Sequence, residues 1–260
     1  MNQTSSKLTS KEDMPVNDPY QIQRELRYGA PVCDEILIGR YFTIGYSWYF
    51  RQAKWVLELV NPNSEFEWEV ERSNNFRADI RIPKRFRAGL NAYKSSGYDR
   101  GHLVASANHD ELVIQNSETF LLSNMSPQAP ELNRRKWRKL EMAVRRLNEQ
   151  EEILETYVLT APVFYFDRTI ETIGAEDEEY GIDVPVPHAF VKSVLTENIR
   201  GRLKLWTFEM ENKELNGELE DYLVVTYDAE QKVGGRFWDG VAGGDMHKQK
   251  SRRGTMWDLS

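Results

Sequence analysis

The pattern of hydrophobic and polar positions along the chain predicts a protein built largely from β-strands. Segments 41–46 and 55–60 are rich in β-branched and aromatic residues, which favour strands. Phe66, Trp68 and Val70 alternate with glutamates, as in a strand with one buried face. Further apolar segments predict strands at 156–164, 184–195, 203–210 and 223–226.

The clearest helix in the pattern runs from about residue 130 to residue 149. Pro130 suits the first turn, and Glu131 complements the positive end of the helix dipole. The residues that recur at helical spacing and predict its buried stripe are Trp137, Leu140, Val144 and Leu147. At about 100° per residue, Asn133 falls within that stripe and Glu141 at its edge. An amide on a buried stripe needs a partner, which can be a protein group, ordered water or a metal ion.

The remaining segments predict shorter or irregular structure. Residues 1–20 are polar and predict a disordered tail, followed by one mixed α+β domain over residues 21–260. Residues 19–34 predict a short helix, and residues 108–118 a short helix or loop. Residues 74–96 form a long connection rich in cations, and long structured loops in compact domains are usually functional.

Targeting signals and cysteine usage narrow the setting of the protein. The first 20 residues show neither an apolar core region nor an Arg-rich amphipathic pattern. No segment approaches the roughly 18 apolar residues of a membrane span. Cys33 is the single cysteine, so an intrachain disulfide and a Cys-rich metal site are excluded. We therefore expect a cytoplasmic protein with no membrane partner.

Charge is segregated along the chain, although the net charge is −7. Residues 77–100 contain seven basic and two acidic side chains, and residues 133–146 contain seven basic and one acidic. The acidic excess lies elsewhere, notably at 149–155 and 176–179. Each basic segment alone could be a solvated surface, but together they are typical of a polyanion-binding face on an acidic body.

Both basic segments border two stretches that carry candidate chemistry. The first is SGYDRGHL at 96–103. Its Gly97 and Gly101 bracket Asp99 and Arg100 and predict a strand whose backbone is closely approached by another group. The second begins with LLSNMSPQ at 121–128 and continues into the predicted helix. The neighbouring cations favour a neutral His102, as a general base requires. Without a pair of His or Cys ligands, one Asn with waters suits Mg²⁺ better than zinc.

The two stretches resemble a known enzyme family. SGYDRGHLVASANHD followed by FLLSNMSPQAPELNRRKWRKLE is similar to the DNA/RNA non-specific endonucleases of the endonuclease G type. The similarity extends from about residue 41 to beyond residue 192. The resemblance implies an α+β protein with a ββα-metal nuclease fold, in which helices flank a mainly antiparallel central sheet.

The resemblance also implies roles for individual residues. His102 would be the general base that activates water. Asn133 would bind one Mg²⁺ directly, with Mn²⁺ as a substitute, and Glu141 would hold a metal-bound water. Asn124 would support the site from behind.

Three arginines would approach the phosphate in this comparison. Arg100 and Arg145 match basic positions of the family, and the third is Arg72 or Arg77, with Arg72 favoured. The chain departs from the family at Ala161, where a glycine is common. Its Arg134-Arg135-Lys136 segment is also more basic than expected, which favours tighter backbone binding.

We therefore predict a Mg²⁺-dependent endonuclease that cuts DNA, with RNA as a further candidate substrate and with little sequence preference. One alternative is a catalytically silent nucleic-acid-binding protein with the same fold. Another is a serine hydrolase at residues 45–47, which lacks the second glycine of a nucleophile elbow.

A non-specific nuclease in the cytoplasm would endanger its host. We therefore expect restraint by an inhibitor or other regulatory protein, a partner subunit, assembly or an activating signal, as in an anti-phage or self-killing effector. The family resemblance also makes a homodimer a candidate. The acidic segment 176–179 is a candidate competitor for the phosphate site.

Overall fold

A six-stranded antiparallel sheet forms the centre of the protein. The structure, a computed structural model, describes residues 23–61, 70–174, 183–241 and 243–258. In spatial order the strands are β1 (Glu35–Ile38), β2 (Phe42–Ser47), β3 (Gln52–Leu59), β6 (Ile153–Val163), β9 (Ala189–Asn198) and β10 (Leu203–Glu211). Each neighbouring pair is antiparallel, so the predicted sheet architecture is confirmed.

Two smaller pairs of strands lie beside this sheet. Strands β4 (Asp99–His102) and β5 (Met125–Gln128) pair antiparallel, with His102 opposite Met125. Strands β7 (Thr172–Ile173) and β8 (Val184–Pro185) form the second pair. The first pair carries the sequence stretch DRGH, so the candidate chemistry lies beside the main sheet rather than within it.

Helices cover both faces of the main sheet. The helical elements are α1 (Leu90–Tyr93), α2 (Val113–Glu118), a π-helical turn (Leu132–Trp137), α3 (Arg138–Asn148), α4 (Thr226–Val233) and α5 (Gly244–Lys250). None of these described helices is long and apolar enough to cross a bilayer.

Alternating side chains of the strands feed two hydrophobic cores, one on each face. Val56 of β3 packs in the core that contains Trp137, Leu140, Val144 and Leu147 of the long helix. Its neighbours Trp55 and Leu57 pack in the other core, with residues of α4 and α5. The long helix therefore lies flat on one face through the apolar stripe that the sequence predicted.

The start of that helix differs from the regular helix predicted. Residues Leu132–Trp137 form a π-helical turn, whose hydrogen bonds span five residues instead of four. Because of this wider turn, Leu132 and not Asn133 is fully buried in the core below. Asn133 is rotated away from the buried stripe, so its predicted place within the stripe is wrong.

Several element boundaries also differ from the predictions. The strand predicted at 223–226 is wrong: only Leu223 makes an isolated bridge to Phe208, and α4 begins at Thr226. The strand predicted at 184–195 is interrupted, because β8 and β9 are separate strands. Within residues 23–34, the helix expected in that region is a three-residue turn, Arg24–Leu26.

Some predictions concern residues outside the described ranges. These are the tail at 1–20, most of the alternating strand at 66–70 and the acidic segment 176–179. The loop character of residues 74–96 is largely confirmed, since they contain only one short turn, Lys84–Phe86, and α1.

Gly45 is a position where the sheet and the core meet without room for a side chain. A Cβ there would lie 2.1 Å from the indole ring of Trp55, which is fully buried. We expect Gly45→Ala to lower the free energy of unfolding by about 2–3 kcal/mol, because overpacking displaces the indole. Urea unfolding measures this value. Gly234→Ala is a useful comparison, since its Cβ meets open space and only its positive φ of 70° opposes the change. A Gly45→Ala protein as stable as wild type would contradict the expected clash.

Candidate active site

The candidate site lies where the β4–β5 pair meets the beginning of the long helix. Strand β4 supplies Arg100 and His102, and β5 leads through residues 129–131 into the π-helical turn that carries Asn133. Asn212 fixes this junction: its amide accepts a hydrogen bond from the Ala129 backbone nitrogen (2.7 Å) and donates to the Pro127 carbonyl (3.0 Å). The residue directly after β10 thus holds the chain between strand and helix.

The two glycines of the motif have different functions. A Cβ at Gly101 would lie 2.3–2.5 Å from atoms of the Gln128 side chain, so the predicted close approach is confirmed there. Gly97 has open space around it, so a side chain would fit there. Its φ of +82° nevertheless favours glycine in this turn. The first requirement keeps β4 and β5 in contact, and the second sets the entry to β4.

His102 lies among aromatic rings rather than polar partners. Its imidazole meets Phe120 edge-to-face at a centroid distance of 4.9 Å and Phe76 at 5.7 Å. The Nε2 atom is buried and has no hydrogen-bond partner among the described residues. A buried ring nitrogen without a partner is unusual in a folded protein and marks a position where a substrate or water is expected to bind.

The surroundings hold His102 in its neutral form. Burial, together with the positive charges of Arg72 and Arg100, lowers the pKa of His102 from 6.5 to about 3. Each guanidinium stacks over one of the rings that contact the imidazole: Arg100 lies 4.1 Å from the Phe76 centroid. Arg72 lies 4.9 Å from the Phe120 centroid. The aromatic pair therefore fixes the base and both cations together.

Asp99 fixes the orientation of the Asn133 amide. Asn133 Nδ2 donates to Asp99 Oδ2 (2.9 Å), which leaves its carbonyl oxygen as the free end of the amide. Arg134 donates to both carboxylate oxygens of Asp99, at 2.9 and 2.7 Å. Burial alone would raise the pKa of Asp99, but the hydrogen bonds from Arg134 and Asn133 outweigh it and lower that pKa. Asp99 thus remains a carboxylate and a constant acceptor.

Glu141 lies on the inner side of α3, above a buried lysine. Burial raises the pKa of Glu141, while the positive charge of Lys192 opposes that shift most strongly. Lys192 is itself buried in β9, where its Nζ donates to the Thr160 hydroxyl (2.9 Å) and lies 4.7 Å from the Trp137 ring. No hydrogen bond to Glu141 is found in the described part of the chain, so both its oxygens can accept from water or a ligand.

The four candidate arginines differ in their contacts. Arg72 donates to the Ser106 hydroxyl (2.8 Å), and Arg145 donates to the Asn108 side chain (2.9 Å). Asn108 follows Ser106 by two residues, so one short segment positions both guanidiniums. Arg77 instead donates to the backbone carbonyls of Asn75 (3.2 Å) and Ser117 (2.9 Å). Arg72, whose charge acts on His102, is therefore the upstream arginine beside the site.

Asn124 supports the site from behind and does not reach it. Its side chain is fully buried and accepts from the Val104 backbone nitrogen (2.9 Å). It also donates to the carbonyls of Val104 (3.0 Å) and Thr119 (2.8 Å). These bonds hold the segment directly after His102 against the segment before Asn124, so Asn124 positions the β4 strand.

A cleft of about 470 Å³ opens beside these groups. Among the residues that line it are Arg72, Phe76, Lys94, Tyr98, Arg100 and Asn133. With Tyr93, which also lines it, the cleft combines three cations, three aromatic rings and the candidate metal ligand. Phe76, Lys94 and Tyr98 were not predicted as site residues from the sequence. Asp99, which also lines the cleft, was noted there only as the residue preceding Arg100.

Comparison with known proteins agrees with this geometry. The sequence profile of the DNA/RNA non-specific endonuclease family matches residues 24–243. The chain belongs to the DNA/RNA non-specific endonuclease family. This assignment confirms the resemblance and the enzyme class predicted from the sequence, a nuclease. Nucleases of this family generally depend on a divalent metal ion.

Two relatives and one solved structure illustrate the family match. Mitochondrial endonuclease G of Caenorhabditis elegans is 31% identical over 202 residues, which are 75% of this chain and 64% of that protein. Mitochondrial endonuclease G of Homo sapiens is 33% identical over 214 residues, 80% of this chain and 71% of that protein. A crystal structure of the EndoG/EndoGI complex, concerning the mechanism of EndoG inhibition, has a TM-score of 0.79 at 28% identity. It covers 91% of this chain and 99% of that chain, which confirms the predicted fold.

The donor groups at the site fit a hard divalent cation. An amide oxygen oriented by Asp99 and a carboxylate without a protein partner are oxygen ligands, which Mg²⁺ and Mn²⁺ prefer. The described residues contain no group of three or more His, Cys, Asp or Glu side chains that could hold a metal. Asn133 and Glu141 would therefore share the cation with water molecules, as Mg²⁺ readily does.

The family departure at Ala161 is accommodated by the sheet. Ala161 lies in β6, is fully buried and pairs with Val191. Its methyl group packs in the core that contains Trp55 and Leu57. The strand keeps its register there, so the added methyl group leaves the backbone regular.

The low pKa of His102 has a consequence for acid stability. As pH falls below 6.5, the unfolded chain binds a proton at this histidine while the folded chain does not, so stability falls with pH. Between pH 7.5 and pH 4.5 we expect the free energy of unfolding of wild type to fall by about 2 kcal/mol more than that of His102→Gln. Urea unfolding of each protein at pH 7.5 and at pH 4.5 gives the loss of stability for that protein. The losses of the two proteins are then compared. Equal losses would show that the imidazole is freely protonated in the folded state.

The Asp99–Asn133 bond predicts an effect on metal binding. We expect Asp99→Ala to weaken Mn²⁺ binding roughly tenfold or more, because the Asn133 amide is free to turn its oxygen away. Electron paramagnetic resonance of free Mn²⁺ measures the affinity without any reaction. Arg134→Gln is the matched control, since it removes the ion pair with Asp99 but leaves the Asn133 bond, and it should change the affinity less than about threefold. Equal losses in the two variants would contradict an orienting function of Asp99.

Proposed function

We propose that this protein is a Mg²⁺-dependent endonuclease that hydrolyses phosphodiester bonds of DNA, and of RNA as a second substrate, with little sequence preference. The observation that carries the proposal is the orphaned Nε2 atom of His102 beside Arg72 and Arg100, two arginines that line one cleft together with Asn133, whose amide oxygen is kept free. A base, phosphate-binding cations and a hard-metal ligand are the parts that phosphodiester hydrolysis requires. The predicted roles of the individual residues are part of this proposal.

His102 accepts a proton from the attacking water in this scheme. Its Nε2 atom is the acceptor, and neutrality at working pH leaves its lone pair free. Arg72 and Arg100 bind the non-bridging phosphate oxygens and orient the phosphorus towards the water. Because a bound phosphate offsets these two positive charges, it also raises the proton affinity of His102 at the moment of attack.

The other residues hold the leaving side of the phosphate. Asn133 provides its oriented amide oxygen, and Glu141 accepts hydrogen bonds from water bound near it. A divalent cation bound there would supply stabilisation of the negative charge on the phosphate and the leaving oxygen. Arg145, held by Asn108, adds a further positive charge on this side.

Low sequence preference follows from the kinds of groups in the cleft. The cations that line it suit phosphate, which is the same at every nucleotide. Phe76 and Tyr98 offer ring surfaces that contact any base. The cytoplasmic location, a homodimer and restraint by a regulatory protein or an anti-phage role stay predictions.

A plasmid-cleavage assay tests the proposal. Purified wild type should nick and linearise plasmid DNA with Mg²⁺ and lose activity in EDTA. His102→Ala should cut at least 100-fold more slowly, because general base catalysis is lost. His247→Ala is the control, since that exposed histidine lies in α5 on the opposite side of the sheet, bonded to Tyr227.

The same assay separates the alternative functions. Wild type that binds DNA in a gel shift but does not cut it with Mg²⁺ or Mn²⁺ would favour the catalytically silent binding protein. The geometry is unfavourable for the serine hydrolase alternative. Ser47 lies in β2, where its hydroxyl donates to Asp34 (3.2 Å). None of the described histidine hydrogen bonds involves Ser47.

A further inference from the structure

A second basic surface lies on the outer side of α3, facing away from the sheet. It borders a groove of about 390 Å³ between the helix and the segment around Leu219. The basic residues along this groove are Arg135, Arg138, Lys139 and Arg146, and Met142 and Leu219 contribute its apolar floor. The metal-binding and base functions discussed above use none of these side chains.

The four cations of this groove fall into two pairs. Arg135 donates to Glu214 (2.9 Å) and Lys139 donates to Glu218 (2.6 Å), so these two charges are already balanced. Arg138 and Arg146 are exposed, and neither has a carboxylate or hydrogen-bond partner within the described ranges. Two positive charges thus remain uncompensated on this side of the helix.

Stabilisation of the helix explains only one of these charges. Arg146 lies in the last turn of α3, where a cation interacts favourably with the helix dipole. Arg138 lies in the middle of the continuous helical segment, where the dipole gives it no advantage, and neighbouring arginines repel it. Its position is better explained by an anionic ligand.

The surface is continuous with the candidate active site. Arg134, Arg138 and Arg145 recur at spacings of four and seven residues, so they share one side of the helix. The first of them is bonded to Asp99, which lines the cleft. The last is bonded to Asn108, and its charge acts on Glu141. Arg138 therefore lies between two arginines that interact with candidate site residues.

The length of the surface corresponds to several nucleotides. Arg138 and Arg146 are eight residues apart, which is about 12 Å along a helix. At about 3.4 Å per nucleotide along a strand, that distance spans three to four nucleotides. Glu214 and Glu218, which are paired with Arg135 and Lys139, repel a polyanion, so a strand is directed to the unpaired Arg138 and Arg146.

We propose that Arg138 and Arg146 bind the phosphate backbone of the nucleic-acid substrate several nucleotides away from the bond that is cut. The proposal rests on the proposed nuclease function for its ligand class, a nucleic-acid strand. Met142 and Leu219 provide an apolar floor against which sugars pack, while the guanidiniums contact phosphates. This surface adds affinity for long substrates and has no part in the chemical step.

Binding without cleavage gives the first test. We compare His102→Ala with the triple variant His102→Ala/Arg138→Gln/Arg146→Gln, using fluorescence anisotropy of a labelled 24-base-pair DNA in EDTA between 50 and 200 mM salt. Loss of two phosphate contacts should weaken binding roughly tenfold and reduce the slope of log affinity against log salt by about 1.8. Arg138→Lys/Arg146→Lys in the same background should retain most of the slope, because both charges remain.

Cleavage kinetics give the second test. In the otherwise wild-type protein, Arg138→Gln/Arg146→Gln should raise KM roughly tenfold for long DNA and leave kcat unchanged. Cleavage of a trinucleotide, which is too short to reach both arginines, should not change. The matched control is Arg236→Gln/Lys248→Gln, two exposed and weakly paired cations at the opposite face of the sheet.

The outcomes separate this surface from the proposed function. If the glutamine variant binds DNA with the affinity and salt slope of the control variant, the surface proposal is wrong, whether or not wild type cuts DNA. If wild type fails to cut DNA while the salt slope falls as expected, the nuclease function is wrong and the surface remains. An equal rise in KM for the trinucleotide and long DNA would also overturn the proposal.

Discussion

The hydrogen bonds that Asp99 accepts from Asn133 and Arg134 connect the two halves of the candidate site. Strand β4 carries His102, the proposed base, and the long helix carries Asn133 and Glu141, the proposed oxygen ligands. Through Asp99, a residue on the strand orients an amide on the helix. The bond is charge-assisted on one side and partly shielded from water, so it is stronger than an ordinary surface hydrogen bond. This carboxylate therefore links the proposed base to the proposed metal ligand.

The π-helical turn makes that connection possible. In a regular α-helix Asn133 would face the sheet, where its amide would lie among apolar side chains. The wider turn lets Leu132 and Trp137, five residues apart, fill the core, and Asn133 turns towards Asp99. π-helical turns are rare and often occur at functional sites, because they cost stability in the helix itself. Here the turn replaces regular helix geometry and places the candidate ligand Asn133 beside Asp99.

Much of this arrangement could be predicted from the sequence, because β-branched and aromatic segments mark β2, β3, β6 and β10. The two motif stretches also made His102, Asn133 and Glu141 candidates for the site, through their resemblance to the nuclease family. The irregular features could not be predicted in this way. Spacings of four and five residues look alike in a hydrophobic pattern, so the π-helical turn was hidden. Leu223 and its neighbours are apolar enough for a strand, but their tertiary contacts favour the start of a helix.

Long-range partners were equally invisible in the sequence. Phe76 and Phe120 are separated by 44 positions, yet their rings contact each other at 5.0 Å and both contact His102. Lys192, an ordinary strand lysine in the sequence, lies fully buried beneath Glu141. Such groups are found only when the fold brings distant segments together. They decide the electrostatics of the site more than the motif itself does.

The aromatic pair and the two arginines would let His102, the proposed general base, be a weak base in the free protein and an effective one with substrate. In the free protein, burial and the guanidiniums keep the pKa of His102 low, so no proton blocks Nε2. A phosphate bound between Arg72 and Arg100 would cancel most of their effect, because its charge is opposite and as close. The pKa of His102 would then rise towards the working pH, which is where a general base is most effective. Substrate binding would thus raise the basicity of His102. The two rings make this coupling possible, because they hold both arginines beside the imidazole.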